Sequence, residues 1–314
     1  MILGTNMTLF KNILINKAIK RYNYSEKIEI DRDKDSFLRS YKNFADKDTL
    51  KKHTHIIYGV LEGLPYSTHI IAKNLLFQEN DSCWKYFERT ALFWTMSYIN
   101  DPFIDHIKAA LEYSLYVERE DLIEILLKKA DEYLNRDEYK TNKDYKNQNV
   151  YPSTQLVHFL IEKWLGKNPI KDRVLEYGSG YGIYQRLIDN WDGLSKIDST
   201  YWDELCEYHL KGLSLEKEDD YKTEEFLVSG LVPMELINII KVRKKLGLDI
   251  PVVTHELFQT PMAKEPQIPT GYNDDLDVKY QLVKRTVETK KKWTIEEIVS
   301  EIKSEFGANV ELFV

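Results

Sequence analysis

Glycine and proline are scarce in this chain, 13 and 9 of 314 residues. A β-sandwich or barrel needs turn residues at short intervals, so this scarcity argues against an all-β fold. There are only two cysteines, Cys83 and Cys206, far apart in sequence, which excludes a disulfide framework and a cysteine-based metal site. Apolar runs are short and interrupted, Ala91–Trp94 and Ile123–Leu127 being typical, so no segment is expected to span a bilayer. The first residues, Met1–Thr5, show no basic stretch followed by a long apolar one, and the expectation is a cytoplasmic protein without membrane contact. Basic clusters are equally short: Arg243–Lys245 and Lys290–Lys292 are flanked by acids, which argues against nucleic-acid binding.

What is present is helix-forming sequence throughout. Asp46 or Asp48 is placed to cap a helix reaching about Leu64. After Pro65, Ser67 and Thr68 precede Ile70, Ile71, Leu75 and Leu76; Asp81-Ser82 precedes Trp84, Phe87, Leu92, Phe93 and Met96 at mostly helical spacing. Asp101-Pro102 is a strong start signal, an acidic cap followed by proline at the first helical position. Glu120-Asp121 opens another helix, and the two form an expected antiparallel hairpin. Residues Asn135–Asn149 are polar and nearly devoid of apolar side chains, the composition of a linker. They divide the chain into an expected N-terminal helical subdomain, 1–140, and a C-terminal one, 150–314. In the latter, helices are predicted over Gln155–Leu165, Ile183–Trp191, Tyr201–Leu213, Pro233–Leu246 and Thr294–Phe306. The last has Thr294 as cap and Glu297 at the capping-box position. Phe226–Val232, Pro251–Phe258 and Glu311–Val314 are candidate short strands, Lys279–Val287 alternates weakly, and 259–277 reads as loop. The fold class expected is mostly α, with helical hairpins stacked into a bundle or repeat-like array.

Charge is unevenly placed. Residues 1–170 carry 25 Lys+Arg against 24 Asp+Glu, whereas 171–314 carry 19 against 27. The stretch Asp189–Glu225 alone holds 12 acids and 4 lysines, net −8, while the whole chain is −7. Such a segment is either a solvated face or a docking surface steered towards a basic partner. Tyr201 and Trp202, set among Asp203, Glu204 and Glu207, suggest aromatic anchors ringed by steering charge. With Glu218, Asp219 and Asp220 these residues make up the candidate partner-binding surface. The acids also bear on Cys206 and His209, which sit at i, i+3: neighbouring carboxylates raise a thiol pKa, the wrong direction for a nucleophile. His53 and His55 lack a third metal ligand at useful spacing, and no metal or cofactor is expected. The pairs Asp203/Glu207 and Glu224/Glu225 are expected at the surface.

One stretch has an enzyme's pattern. Val174-Leu-Glu-Tyr-Gly-Ser-Gly-Tyr-Gly182 resembles the first motif of S-adenosylmethionine-dependent methyltransferases. That resemblance would place Glu176, Gly178, Gly180 and Gly182 on the cofactor and Asp198 on its ribose. Such a fold needs several strands buried on both faces, and after Gly182 only weak candidates follow. Among other catalytic signatures, Gly-x-Ser-x-Gly, His-Glu-x-x-His and the phosphate-binding Gly-x4-Gly-Lys-Ser/Thr are all missing.

Three further segments, Tyr181–Trp191, Tyr201–Leu210 and Pro233–Arg243, follow one another in the style of helical immunity proteins of bacterial polymorphic toxin systems. The chain resembles the PoNi-type proteins, which protect against PoNe-type DNase toxins, over about residues 175–260. The resemblance implies a mostly helical, non-catalytic protein that binds a cognate toxin and blocks its active site. An acidic surface suits that role, because nucleases carry basic substrate grooves.

Overall fold

A computed structural model describes residues 11–20, 36–43, 63–100, 107–136, 150–176, 178, 180–213, 225–226 and 228–314. Of these residues 67% are helical, in thirteen α-helices and a few 3-10 turns, with no strand among them. The helices are α1 (13–20), α2 (36–43), α3 (Gly63–Phe77), α4 (Cys83–Asn100), α5 (Ile107–Tyr116), α6 (Glu120–Leu134) and α7 (Pro152–Leu165). They continue with α8 (Lys171–Leu175), α9 (Gln185–Asp189), α10 (Ser199–Lys211), α11 (Met234–Lys245), α12 (Val278–Thr289) and α13 (Ile295–Phe306). The mostly-α expectation holds. The caps expected at Asp46, Asp48 and Asp101, residues His53 and His55, and most of the linker (137–149) lie outside the described residues.

Neighbouring helices pack as hairpins, α3 on α4 and α5 on α6, each joined by a tight turn. At the first, the amide of Asn80 reaches back to Leu75 O at 2.9 Å, with Glu79 left-handed at φ 55°. At the second, Arg119 N bonds Ser114 O at 2.9 Å, with Glu118 at φ 58°. Helix α11 ends the same way, Leu248 N on Arg243 O at 2.9 Å with Gly247 at φ 66°. All three are Schellman-type ends. Helix α7 stops as predicted at Gly166, which is left-handed at φ 73°. The capping box of α13 forms in full, with Glu297 N on Thr294 Oγ1 at 3.1 Å and Thr294 N on Glu297 Oε2 at 2.8 Å.

The main core runs across the expected subdomain boundary. One continuous cluster of buried apolar residues takes in Ile15 and Ile19, Trp84 and Phe87, Leu111 and Tyr116, Leu156 and Leu160, Leu205 and Leu210, and Ile237 and Val242. Helices α5 and α11 lie at its centre, buried along almost their whole length. The polar stretch at 135–149 therefore marks no break in the core. A smaller cluster joins Phe37, Tyr41, Leu64 and Phe93 to α12 and α13 through Val278, Leu282, Val283, Ile298 and Ile302.

None of the strand candidates forms a strand among the described residues. Pro251–Phe258 is irregular backbone closing in a 3-10 turn, Glu256–Gln259, and Val252 is 79% exposed. Lys279–Val287 belongs to α12, whose inner face, Val278, Leu282 and Val283, is set by 3–4 residue spacing. The C-terminal tail makes a single bridge, Phe313 with Asp277, which satisfies the backbone at the start of α12. Within Phe226–Val232 the described residues, 226 and 228–232, form turns and a bend.

Asp277 ties the smaller cluster to the main one. Fully buried, it accepts Arg89 Nε at 2.6 Å and Tyr272 Oη at 2.7 Å, and caps α12 through Tyr280 N at 3.0 Å. Arg89, itself buried, lies over the rings of Phe93 and Phe313 at 5.1 and 5.2 Å. Removing one member of a buried ion pair strands the other, at a cost of about 3–5 kcal/mol. Asp277→Ala is therefore expected to lower unfolding free energy by about that amount in denaturant titration, whereas Lys291→Ala, at an exposed pair, should change it by under about 0.5 kcal/mol.

A second prediction concerns His158, fully buried on α7. Its Nδ1 accepts from Asn168 Nδ2 at 3.1 Å, and its Nε2 has no partner. Burial lowers its pKa to about 3. The folded state thus binds fewer protons than the unfolded chain, where histidine titrates near 6.5. The associated stability is complete above that value and is lost as pH falls through it, by up to about 1.4 kcal/mol per pH unit. Denaturant titrations between pH 7 and pH 5 should show the wild type losing stability relative to His158→Gln as the pH falls.

Candidate functional site

Helix α10 carries the charged segment singled out in the sequence, and its two faces play different roles. Asp198 caps it, accepting Tyr201 N at 3.1 Å and Thr200 Oγ1 at 2.6 Å, with Arg186 Nη2 at 3.3 Å. Those bonds hold the Asp198 carboxyl below its usual range. It is a helix cap, and its exposed carboxylate is occupied in that role. The inner face is Tyr201, Trp202, Leu205, Cys206, His209 and Leu210. Tyr201 and Trp202, expected at the partner surface, are instead core residues. Tyr201 donates its hydroxyl to Ile183 O at 2.8 Å, and burial pushes its pKa to about 12. The helical period puts both on the stripe shared with Leu205 and Cys206.

The outer face keeps Glu204 exposed and Asp203 half-buried, and no ion pair within the described residues neutralises either. Glu207 belongs to neither group. Its Oε1 accepts Asn12 Nδ2 and His255 Nε2, both at 2.9 Å, fastening α1 and the 255–259 turn to α10. Glu218, Asp219 and Asp220 lie outside the described residues. Cys206 is buried, and burial followed by Glu235, Asp203 and Glu207 drives its thiol pKa upward. It makes no pair with His209, which points elsewhere.

The glycine-rich stretch wraps the start of α7. Val174 and Leu175, where the methyltransferase motif has a strand, end helix α8, and Glu176 is exposed. Gly178 bridges Val150 and lies so close to α7 that a Cβ there would sit 1.7 Å from Gln155 Nε2. At Gly182, φ 53°, a Cβ would meet Pro152 at 2.8 Å. The spacing of these glycines is accounted for by close approach to a helix of the same chain, and no sheet stands behind the loop among the described residues.

Beneath α10 lies a cluster of ionisable groups, all buried except the half-buried Tyr208, drawn from four elements. Helix α5 contributes Lys108 and Glu112, 3.8 Å apart; α10 contributes Tyr208 and His209; α11 contributes Glu235; and the 225–232 turns contribute Glu225. Both His209 nitrogens face oxygen: Nδ1 lies 2.8 Å from Glu235 Oε1 and Nε2 lies 2.8 Å from Gly230 O. The carbonyl can only accept, so Nε2 is protonated, and the ring shares one further proton with Glu235. Glu225, expected at the surface beside Glu224, is buried. Its carboxylate accepts Ser153 N at 2.7 Å, satisfying an orphan amide at the start of α7, and takes a short bond from Tyr208 Oη. Lys108 Nζ donates to Glu225 O at 2.7 Å and lies 4.6 Å from the Phe226 ring centroid.

Burial is the leading cause of the shifts here. It raises Glu112 to about 7, with Lys108 and His209 opposing and Glu235 and Glu225 adding. It also raises the Tyr208 and Tyr184 hydroxyls. Glu235 Oε2, Tyr184 Oη and Ser153 Oγ have no hydrogen-bond partner. Among the described residues no group of three or more His, Cys, Asp or Glu is arranged to hold a metal ion, and no helix is long and apolar enough to cross a membrane. Sequence reasoning missed this cluster. Its one visible signal is Lys108 and Glu112 at i, i+4 on an otherwise apolar helix face.

Tyr208→Phe removes the hydroxyl from Glu225 and leaves that carboxylate short of a donor. It is expected to cost about 1.5–3 kcal/mol in chemical unfolding, the worth of a hydrogen bond to a charged group. A scan of protein-family models finds no match to this chain, and searches of curated proteins and of solved structures find none either.

Proposed function

We propose that this chain is a binding protein of the immunity kind, one that neutralises a basic toxin domain by presenting acids on the outer face of α10. The observation that carries the reading is the division of that helix. Tyr201, Trp202, Leu205 and Leu210 anchor it in the core, while Asp203 and Glu204 on the opposite side are left without an internal counter-ion among the described residues. Asp189 and Asp192, exposed on the segment just before it, extend the same sign of charge. Acids held rigidly and left unpaired speed encounter with a cationic partner at little conformational cost, and salt screens the effect. The resemblance of residues 175–260 to toxin-neutralising proteins points to the same role, with a nuclease as the natural class of partner. The aromatic part of the expected interface drops out, so steering by charge is the contribution this face makes.

The test uses Asp203→Lys with Glu204→Lys and leaves out Glu207, whose carboxylate holds α1 and His255 in place. Association with a basic nuclease domain encoded beside this chain is measured by stopped-flow mixing across ionic strength. The double reversal should slow association at least several-fold at low salt, with the two proteins converging at high salt and the unfolding midpoint nearly unchanged. Equal association rates at low salt would overturn the reading.

A further inference from the structure

The buried cluster contains more carboxylates than cations to balance them. Glu112, Glu225 and Glu235 face Lys108 and His209, and all five are buried. An uncompensated charge in such a place is costly, so one proton too many for an ordinary set of carboxylates must be kept inside. What the cluster holds is equally specific. The described turn residues, 225–226 and 228–232, offer backbone carbonyls to three side-chain N–H donors from three helices: Lys73 on Val228 O at 3.0 Å, Lys108 on Glu225 O at 2.7 Å and His209 on Gly230 O at 2.8 Å. The Phe226 ring is seated between Lys108 and His209, each 4.6 Å from its centroid, and against Gly212, where a Cβ would be 2.4 Å from the ring.

We propose that Glu112, His209, Glu225 and Glu235 form a proton-operated latch on the 225–232 turns, closed while the cluster retains its extra proton and loosened when that proton leaves. Glu112 is the group that carries it. It is buried as deeply as Glu235 and more deeply than Glu225, and among the described residues it accepts no side-chain hydrogen bond, its nearest cation being Lys108 at 3.8 Å. Glu225 has Ser153 N and Tyr208, and Glu235 has His209. The groups facing Glu112 are Lys108 on its own helix, His209 from α10, Glu235 from α11 and Glu225 from the turns, with Tyr184 and Tyr208 as neutral titratable neighbours. In the closed form its carboxyl titrates at about 7, whereas an open, hydrated glutamate does so near 4.3. Opening therefore releases a proton between those values. The open population should rise with pH across that interval, by up to about tenfold per unit, and level off above it.

Hydrogen exchange reads this directly. In the full chain, the amides of Phe226, Gly230 and Val232 are bonded to Gly212 O, Phe226 O and Ser229 O. Corrected for intrinsic rates, their protection should fall by up to about a hundredfold from pH 5 to pH 7 and little thereafter. The amide of Ile298 in α13 serves as a control and should not follow. Glu112→Gln mimics the protonated side chain and should keep the three amides protected at every pH. A flat wild-type profile, or the same slope in Glu112→Gln, would overturn the proposal. If Glu112→Gln does not fold, infrared difference spectra of the wild type decide. A buried carboxylic-acid carbonyl band present at pH 6 and gone by pH 8 is expected, and its absence at pH 6 would refute the latch.

Discussion

Backbone that crosses the interior of a helical bundle without being helical carries carbonyl oxygens with nowhere to go, and this protein meets that constraint with buried nitrogen donors. Lys73, Lys108 and His209 serve the 225–232 turns. Lys241 serves the last carbonyl of α5 at Tyr116, and Arg243, fully buried, donates Nε to Asp249 O at 2.6 Å and Nη1 to Trp191 O. Except at Tyr116, a helix side chain here holds an irregular segment, so the order of the connecting segments depends on the registry of the helices that bear these donors. An unpaired buried carbonyl and an unpaired buried cation are both costly, and each arrangement removes two liabilities with one contact. The two central helices, α5 and α11, supply Lys108, Lys241 and Arg243, which is why polar residues interrupt helices that are otherwise buried all round.

The acids divide in a matching way. Sequence alone shows a run of negative charge from Asp189 to Glu225. In three dimensions its members go separate ways. Asp198 caps a helix, Glu207 links α10 to α1 and to His255, and Glu225 sits in the interior holding the start of α7. Asp203 and Glu204 remain, on the outer face of α10 with no structural assignment. Among the described acids of the run, those with structural roles lend nothing to a docking surface, and Asp189, Asp192, Asp203 and Glu204 are the ones left to do so.

What was legible in the sequence is what depends on local chemistry. The capping box of Thr294 and Glu297, the stop of α7 at Gly166, the break after α11 at Gly247 and the amphipathic stripes of α6 and α13 all follow from residues within a few positions of one another. What was not legible depends on distant partners. Phe226–Val232 has the composition of a strand, but its described residues are held as turns by Lys73, Lys108 and His209. Tyr201 and Trp202 look like interface aromatics until α10 is placed with that face inward. Lys279–Val287 alternates over too few residues for period 2 to outweigh the 3–4 spacing of Val278, Leu282 and Val283. The buried carboxylates could not be distinguished from surface ones, because nothing local separates Glu225 from an exposed acid such as Glu204.

Glu118 shows how far this reliance on distant partners reaches. It occupies the left-handed position that ends α5, where glycine would be at ease, and its carboxylate meets Lys241 Nζ at 3.2 Å. That same lysine donates to Tyr116 O, two residues earlier. A residue poorly suited to its own backbone geometry is thus suited to the neighbouring helix, and the hairpin bend is fastened to α11 at two points. Glycine substituted there would make an easier bend and a looser joint, so a redesign guided by turn statistics alone would improve the hairpin while weakening its attachment to the bundle.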